Sequence, residues 1–352
     1  MRLEELTKIV RRRRLDQVLV ANEANIRALT GITCDNAILQ LTANSQSLTA
    51  LFFTDFRYIP MVHRVAPTLT VRDIKRFGKL TGRGCPHPRR IGYESSIPHA
   101  KFLSWQKKFP RATFVDISKD LAAIRAVKTP DEIAALRAAE KLTCEIWETA
   151  RDRFKAGMTE RQMARIIQKL MIERGEGEAF ATIVCVGKNA AECHHEPDDT
   201  VWNGREPVLV DMGVKLNGVC SDLTRNLLPP SSVSRLPSLY RKVYQLVLKA
   251  NLAAIAAAKP GMTGRQLDKV ARDVIKKGGF GKCFGHSLGH GVGYEIHEEP
   301  YASKKGDRVL KPGMLVTIEP GIYLEDNLGV RIEDLILITP TGCEVLSASA
   351  DK

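Results

Sequence analysis

The segment Lys155-Ala-Gly-Met-Thr-Glu-Arg-Gln162 returns 104 residues later as Lys259-Pro-Gly-Met-Thr-Gly-Arg-Gln266, with six of eight residues unchanged. Two copies exclude a solenoid, which needs about three or more stacked repeats before a continuous core closes. A duplicated α/β half is the arrangement that remains, its two halves facing each other about a pseudo-two-fold axis, and sites often form where such halves meet. Both copies start a capped amphipathic helix. A long helix precedes each (130–154 and 237–258), and each is followed by a histidine-bearing segment and then a carboxylate-bearing hairpin.

Ahead of the duplicated region, strands at 15–21, 37–42, 48–54 and 90–94 alternate with helices and turn-rich joints, which predicts a smaller α/β domain over residues 1–125. The texture changes at Thr129, Pro130 and Glu132, a capping box with proline at the first helical position, which opens a helix with Ile133, Leu136, Leu142 and Ile146 on one face. A second domain is therefore placed at 126–352. A length of 352 residues suits two domains, and 44 % hydrophobic with 26 % charged residues gives no reason to expect a long disordered stretch.

The eight cysteines are scattered, without a CxxC pair or zinc-finger spacing, and are read as reduced thiols. No apolar core segment follows the N-terminal methionine before Arg11–Arg14, so no signal peptide is expected. The longest apolar stretch, 246–258, is interrupted by Lys249 and Asn251 and falls short of the roughly 18–20 residues of a membrane span. A cytoplasmic location follows as the expectation. The formal net charge of +13 suits nucleic acid or acidic partners as well as an ordinary soluble enzyme, and the Arg11–Arg14 run reads as a solvated helix end.

The chemistry concentrates in three segments. VLVDMGVKLNGVCSDLTRN reads as two strands joined by Asn217-Gly218. Pairing Leu216 with Val219 puts Asp211 opposite Thr224, two positions from Asp222 and on its face. In MLVTIEPGIYLEDNLGVRIEDLIL, Glu319 and Glu333 each stand seven residues from Asp326 and should face each other across a ladder. Four carboxylates in one cleft repel strongly, so a divalent cation is expected between them. Between the hairpins, FGHSLGHGVGYEIHEEP carries His286, His290 and His297 among glycines that form neither a phosphate loop nor a dinucleotide fingerprint. HExxH is absent, and a hard, oxygen-rich set with one imidazole suits a pair of manganese, cobalt, iron or zinc ions.

These residues resemble the M24 metallopeptidases, the family of methionine aminopeptidase, aminopeptidase P and prolidase, with its duplicated pita-bread fold. MRLEELTKIVRRRRLDQVLVANEANIRALTG and FTDFRY look like the creatinase-like N-terminal domain of the proline-specific branch. The resemblance implies a dinuclear site of Asp211, Asp222, His290, Glu319 and Glu333, with Asp222 and Glu333 bridging, manganese first among the metals, and Glu319 handling the proton of the attacking water. It implies that His297 contacts the substrate carbonyl and that His194, rather than His195, binds substrate. It further implies that His286 lines the proline-side pocket and that Arg331 orients carboxylates. Cys193, Val219 and Tyr294 depart from residues frequent in the family. Tyr301 stands where some prolidases place an arginine for the free carboxylate of a dipeptide, although Lys304, Lys305 or Arg308 offer substitutes. An Xaa-Pro aminopeptidase acting on peptides with proline at the second position is the reading, with Xaa-Pro dipeptidase second and a metal-free module binding protein or nucleic acid third. The resemblance also implies a homodimer; the lack of a span leaves no membrane partner expected, and the five retained ligands weigh against nucleic acid.

Overall fold

Three helices open on the same reciprocal cap. In the computed structural model, which describes residues 2–43, 48–78, 88–228 and 237–352, Thr129, Thr159 and Thr263 each accept a hydrogen bond from the N–H three residues on. Glu132, Gln162 and Gln266 reach back to the threonine N–H groups. Each cap satisfies two N–H groups that have no partner inside their helix. Cys85 lies outside the described residues, and the other seven cysteines are free.

The chain divides into two units, Met1–Arg125 and Ala126–Lys352. The first runs α1 (Leu3–Arg13), β1 (Gln17–Val20), α2 (Glu23–Thr30), β2 (Ala37–Ala43), β3 (Leu48–Thr54), α3 (Ile59–Val65), β4 (Thr70–Asp73), β5 (Arg90–Tyr93), α4 (His99–Lys108), β6 (Thr113–Asp116) and α5 (Ser118–Ala126). The six strands form one sheet in the order β4-β3-β2-β1-β5-β6. Its central strands are apolar on both faces. Val18, Leu39 and Phe52 pack with Leu6, Ile9 and Val10 of α1, while Leu19, Ile38 and Phe53 pack with Trp105. That two-sided burial explains why these strands read as continuous apolar runs. The edge strands β4 and β6 carry no such run, which is why the sequence did not announce them. The arginine run ends α1, and Arg12 and Arg13 pair with Asp120 at 2.6 and 3.0 Å.

The second unit is the duplicated one. Its first half runs α6 (Pro130–Arg151), α7 (Glu160–Arg174), β7 (Ile183–Val186), β8 (Val208–Met212), β9 (Lys215–Leu216), β10 (Val219–Cys220) and β11 (Leu223–Leu227). The second runs α8 (Ser238–Ala257), α9 (Gly264–Lys277), β12 (Gly289–Gly291), β13 (Glu298–Ala302), β14 (Leu315–Ile318), β15 (Gly321–Leu324), β16 (Leu328–Arg331), β17 (Asp334–Ile338) and β18 (Cys343–Val345). The antiparallel pairs β8/β11 and β14/β17 are the counterparts in the two halves, with β7 added beside β8 in one and β18 beside β17 in the other. Apolar side chains of α8 and α9, including Val247 and Leu267, bury against Val316 and Ile336, and those of α6 and α7, including Trp147 and Ile167, against Val184 and Val210.

Candidate active site

Each acidic hairpin keeps one register across a break in its ladder. In the first, Met212 pairs with Leu223 and Leu216 with Val219, so Asp211 lies opposite Thr224 as the spacing predicts. Asn217 and Gly218 both have positive φ, the conformation this two-residue turn requires. In the second, Ile318↔Asp334 and Gly321↔Arg331 bracket Glu319 and Glu333, which stand opposite one another in an open stretch of ladder. Their N–H groups are directed elsewhere: Glu319 to the Leu288 carbonyl at 2.9 Å, and Glu333 to the Thr224 carbonyl of the other half at 3.2 Å. As a non-hydrogen-bonded pair they point these groups outward, and the Glu333 bond ties the two halves together.

All ten residues singled out in the sequence line one cavity of about 510 Å³ in the second unit: Asp211, Asp222, His290, Glu319 and Glu333, with His194, His286, His297, Tyr301 and Arg331 around them. His195 lines it as well, and Phe180, Ile183 and Ile296 add an apolar wall. One ligand atom each from Asp222, His290 and Glu333 lie within 4.8 Å of one another, all three residues well enclosed. The His290 Nδ1 is 3.2 Å from the Gly291 carbonyl, which can only accept, so that nitrogen carries the proton. Nε2 therefore faces the carboxylates, 3.3 Å from Glu319 Oε1 and 3.6 Å from Asp222 Oδ2. Thr317 Oγ1 accepts the His290 N–H at 3.0 Å and donates to Glu319 at 3.2 Å.

Burial and mutual repulsion drive Asp222 and Glu333 well above the usual carboxylate range, and burial raises Asp211 against the pull of Arg331. Burial would raise Glu319 too, but the hydrogen bond and charge of His290 outweigh it and hold Glu319 low. The same partnership raises His290. His286 and His297 are lowered, chiefly by burial. Asp211 gives Oδ2 to Arg331 at 2.6 Å, while its buried Oδ1 has no hydrogen-bond partner among the described residues. Crowded carboxylates, an imidazole nitrogen turned toward them and an unpartnered buried oxygen fit a divalent metal ion, whose charge would relieve the repulsion.

Three contributors escaped the sequence. The Thr224 hydroxyl, wholly buried, accepts from Arg331 Nε at 3.1 Å and donates to Glu333 at 2.7 Å. The Tyr323 hydroxyl accepts from Arg331 Nη1 at 2.9 Å and lies 3.0 Å from His286 Nε2. His286 Nδ1 lies 2.7 Å from the Ser287 carbonyl, so Nε2 is the acceptor for Tyr323. A Cβ at Gly321 would strike the tyrosine hydroxyl, so glycine is what lets the ring fold back. On α6, buried Glu140 accepts the Asp222 N–H at 3.2 Å, and burial pushes its carboxyl up to about 8. A period of two from Glu319 reaches Tyr323 and offered a signal for it.

The model of metallopeptidase family M24 matches residues 134–340, and that of the creatinase/prolidase N-terminal domain matches residues 2–127. This chain belongs to metallopeptidase family M24. Its relatives include proteins named Xaa-Pro dipeptidase. An Xaa-Pro dipeptidase of Pyrococcus furiosus is 40 % identical over 209 residues, which span 58 % of this chain and 59 % of that protein. An Xaa-Pro dipeptidase structure from Bacillus anthracis superposes with a TM-score of 0.92 at 30 % identity, covering 100 % of this chain and 98 % of that one. An X-Pro aminopeptidase structure from Thermotoga maritima superposes with a TM-score of 0.84 at 31 % identity over 95 % of each chain. The M24 fold, a pita-bread domain behind a creatinase-like N-terminal domain, is thus the fold of this protein. No helix among the described residues is long and apolar enough to cross a membrane.

Proposed function

We propose that this M24 protein is a dinuclear-metal exopeptidase that hydrolyses the bond between an N-terminal residue and a following proline. The observation that carries this reading is the enclosed convergence of Asp222, His290 and Glu333 beside Asp211 and Glu319 in one cavity. Those five side chains would hold two divalent ions, manganese first and cobalt, iron or zinc next, which when bound supply a water ionised near neutral pH and positive charge for a carbonyl oxygen. Glu319, held ionised beside His290, is placed to accept the proton of the attacking water. His297 packs edge-on against His290 with ring centroids 4.3 Å apart, and its lowered pKa leaves it neutral, able to donate a hydrogen bond to the substrate carbonyl. His286, neutral and braced by Tyr323, presents a flat ring for proline, and His194 faces the same space. Arg331 fixes Asp211 and shares Thr224 with Glu333.

Peptides longer than two residues are the first substrate reading, because Tyr301 brings no cation to the cavity and Arg308 is committed to Glu299 at 3.0 Å. Dipeptides are the second, favoured by exposed Lys304 and Lys305 beside a smaller cavity of about 260 Å³ that shares His286 and Ser287 with the main one. Metal-free protein titrated with manganese or cobalt, assayed on Xaa-Pro-Xaa and Xaa-Pro peptides, tests both. Turnover that rises with about two ions per chain and disappears with chelator supports the reading, and absence of both metal binding and turnover defeats it. The proposal extends to a homodimer, tested by sedimentation, and to a cytoplasmic enzyme, tested by cell fractionation.

A further inference from the structure

The two octapeptide copies differ after the capping threonine, where the first has Glu160 and the second Gly264. Glu160 is completely buried. Its Oε1 accepts the Val186 N–H at 2.6 Å and the Asn189 amide at 2.9 Å. Its Oε2 accepts the Asp198 N–H at 3.1 Å and lies 2.7 Å from His195 Nε2. The end of β7, the turn after it and the 195–198 segment thus converge on one carboxylate. Glu160, His195 and Asp198 have the spacing of a cation site, but both Glu160 oxygens are taken by N–H donors, which makes the group an anchor rather than a metal centre. The anchored His195 leaves its side chain only 10 % exposed, and the planar peptide before it carries that constraint to His194, which lines the cavity.

In the second half, a Cβ at Gly264 would run into the Tyr301 carbonyl, so the first turn of α9 lies directly against β13. The same turn donates the Gly264 N–H to the Arg308 carbonyl at 3.1 Å and the Arg265 N–H to the Gly306 carbonyl at 2.7 Å, in the segment that follows β13. Tyr301 lines the same cavity as His194.

We infer that the residue after each capping threonine is a positioning residue for one wall of the substrate cleft: Glu160 sets His194 through His195, and Gly264 sets Tyr301 through its backbone. The inference rests on the proposed function, in which that cleft binds the peptide.

The test uses the full chain with Glu160→Gln, His195→Ala, His195→Gln and Gly264→Ala, each loaded with manganese. Misplacing one wall raises KM for an Xaa-Pro-Xaa tripeptide by about 10- to 100-fold while kcat and bound metal stay near the wild-type values. His195→Gln, which keeps a donor toward Glu160, recovers most of the KM lost in His195→Ala. In Glu160→Gln the amides of Val186 and Asp198 exchange with solvent faster than in the wild type. Wild-type KM in the folded variants overturns the inference, as does a fall in kcat and metal content with KM unmoved. If Glu160→Gln does not fold, equal KM for the two His195 variants overturns the Glu160 half, and wild-type KM in Gly264→Ala overturns the other. If the wild type itself cleaves no Xaa-Pro peptide, the proposed function fails, and unchanged amide exchange in Glu160→Gln separately shows that Glu160 does not hold the loop.

Discussion

Replacing Thr224 by valine removes one hydroxyl and almost no volume, yet that hydroxyl is wholly buried between a cation and an anion. It accepts from Arg331 Nε and donates to Glu333 Oε2 at 2.7 Å. Hydrogen bonds to charged groups contribute about 1.5–3 kcal/mol each, and here a single atom serves two of them. Arg331 keeps Asp211 at 2.6 Å and Tyr323 at 2.9 Å, and the Glu333 N–H keeps the Thr224 backbone carbonyl, so the substitution loosens the Glu333 carboxylate without dismantling the fold. Removing the outer partner of a metal ligand typically costs 10- to 100-fold in affinity, about 1.4–2.8 kcal/mol, and the double use of Thr224 points to the upper end. Calorimetric titration of metal-free Thr224→Val with manganese reads the effect directly, and Thr224→Ser, which restores the hydroxyl, is expected within a few-fold of the wild type. Wild-type affinity for both ions in the valine variant would refute the role given to Thr224.

Other perturbations probe separate parts of the second unit. Arg225 is buried against Asp334 at 3.0 Å and donates to the Ala350 carbonyl at 3.0 Å, while Asp334 also keeps Lys352 at 2.6 Å and Ser347 at 2.8 Å, so Arg225→Met removes one of several partners and costs about 1.5–3 kcal/mol; an unchanged urea midpoint contradicts this. Tyr323→Phe removes the bridge from Arg331 to His286 and is expected to lower kcat/KM by about tenfold with metal content intact, checked by kinetics beside metal analysis. Although burial opposes a charge on His195, Glu160, Glu192 and Asp198 raise its pKa above the ordinary 6.5. A group raised in the fold contributes fully below its unfolded value and loses that contribution as pH climbs through the folded one. The melting-temperature gap between the wild type and His195→Gln is therefore widest below pH 6.5 and closes above the raised value, and a gap that widens with pH contradicts the pairing. Metal at about 100 times its Kd should stabilise the protein by about 2.7 kcal/mol per site, read as a concentration-dependent melting shift.

Backbone geometry was legible wherever a local signal fixed it. Asn217-Gly218 set the Asp211↔Thr224 register six or seven residues away, and the equal spacing about Asp326 set Glu319 opposite Glu333. A side-chain period of two then carries each residue to its face. Partners from distant segments were not legible. Thr224 meets Arg331 and Glu333 across 107 and 109 residues, and in the sequence it is an ordinary strand-forming threonine. Glu140 reads as a polar position on α6, although it lies buried among Leu136, Thr143 and Trp147 beneath the Asp222 backbone. His195 looked like the lesser of two adjacent histidines, because nothing local shows that a carboxylate 35 residues upstream holds it.

The outward-pointing N–H of Glu333 shows how the duplicated halves join at the acidic positions. In the register of that hairpin the Ile332 N–H bonds the Pro320 carbonyl at 3.5 Å, so the adjacent Glu319 and Glu333 are a non-hydrogen-bonded pair and both of their N–H groups point outward. The Glu333 N–H crosses to β11, and Arg225 of β11 crosses back to Asp334, so Glu333 is fixed by the strand that follows Asp222 in the other half. Thr224 lies on that same strand, paired with Asp211 by its backbone and with Glu333 by its hydroxyl. The carboxylates consequently reach their places only when the halves dock. Their mutual repulsion opposes that docking, whereas the inter-half hydrogen bonds and a bound cation favour it. The duplication thus supplies two facing hairpins whose carboxylates converge on one cavity.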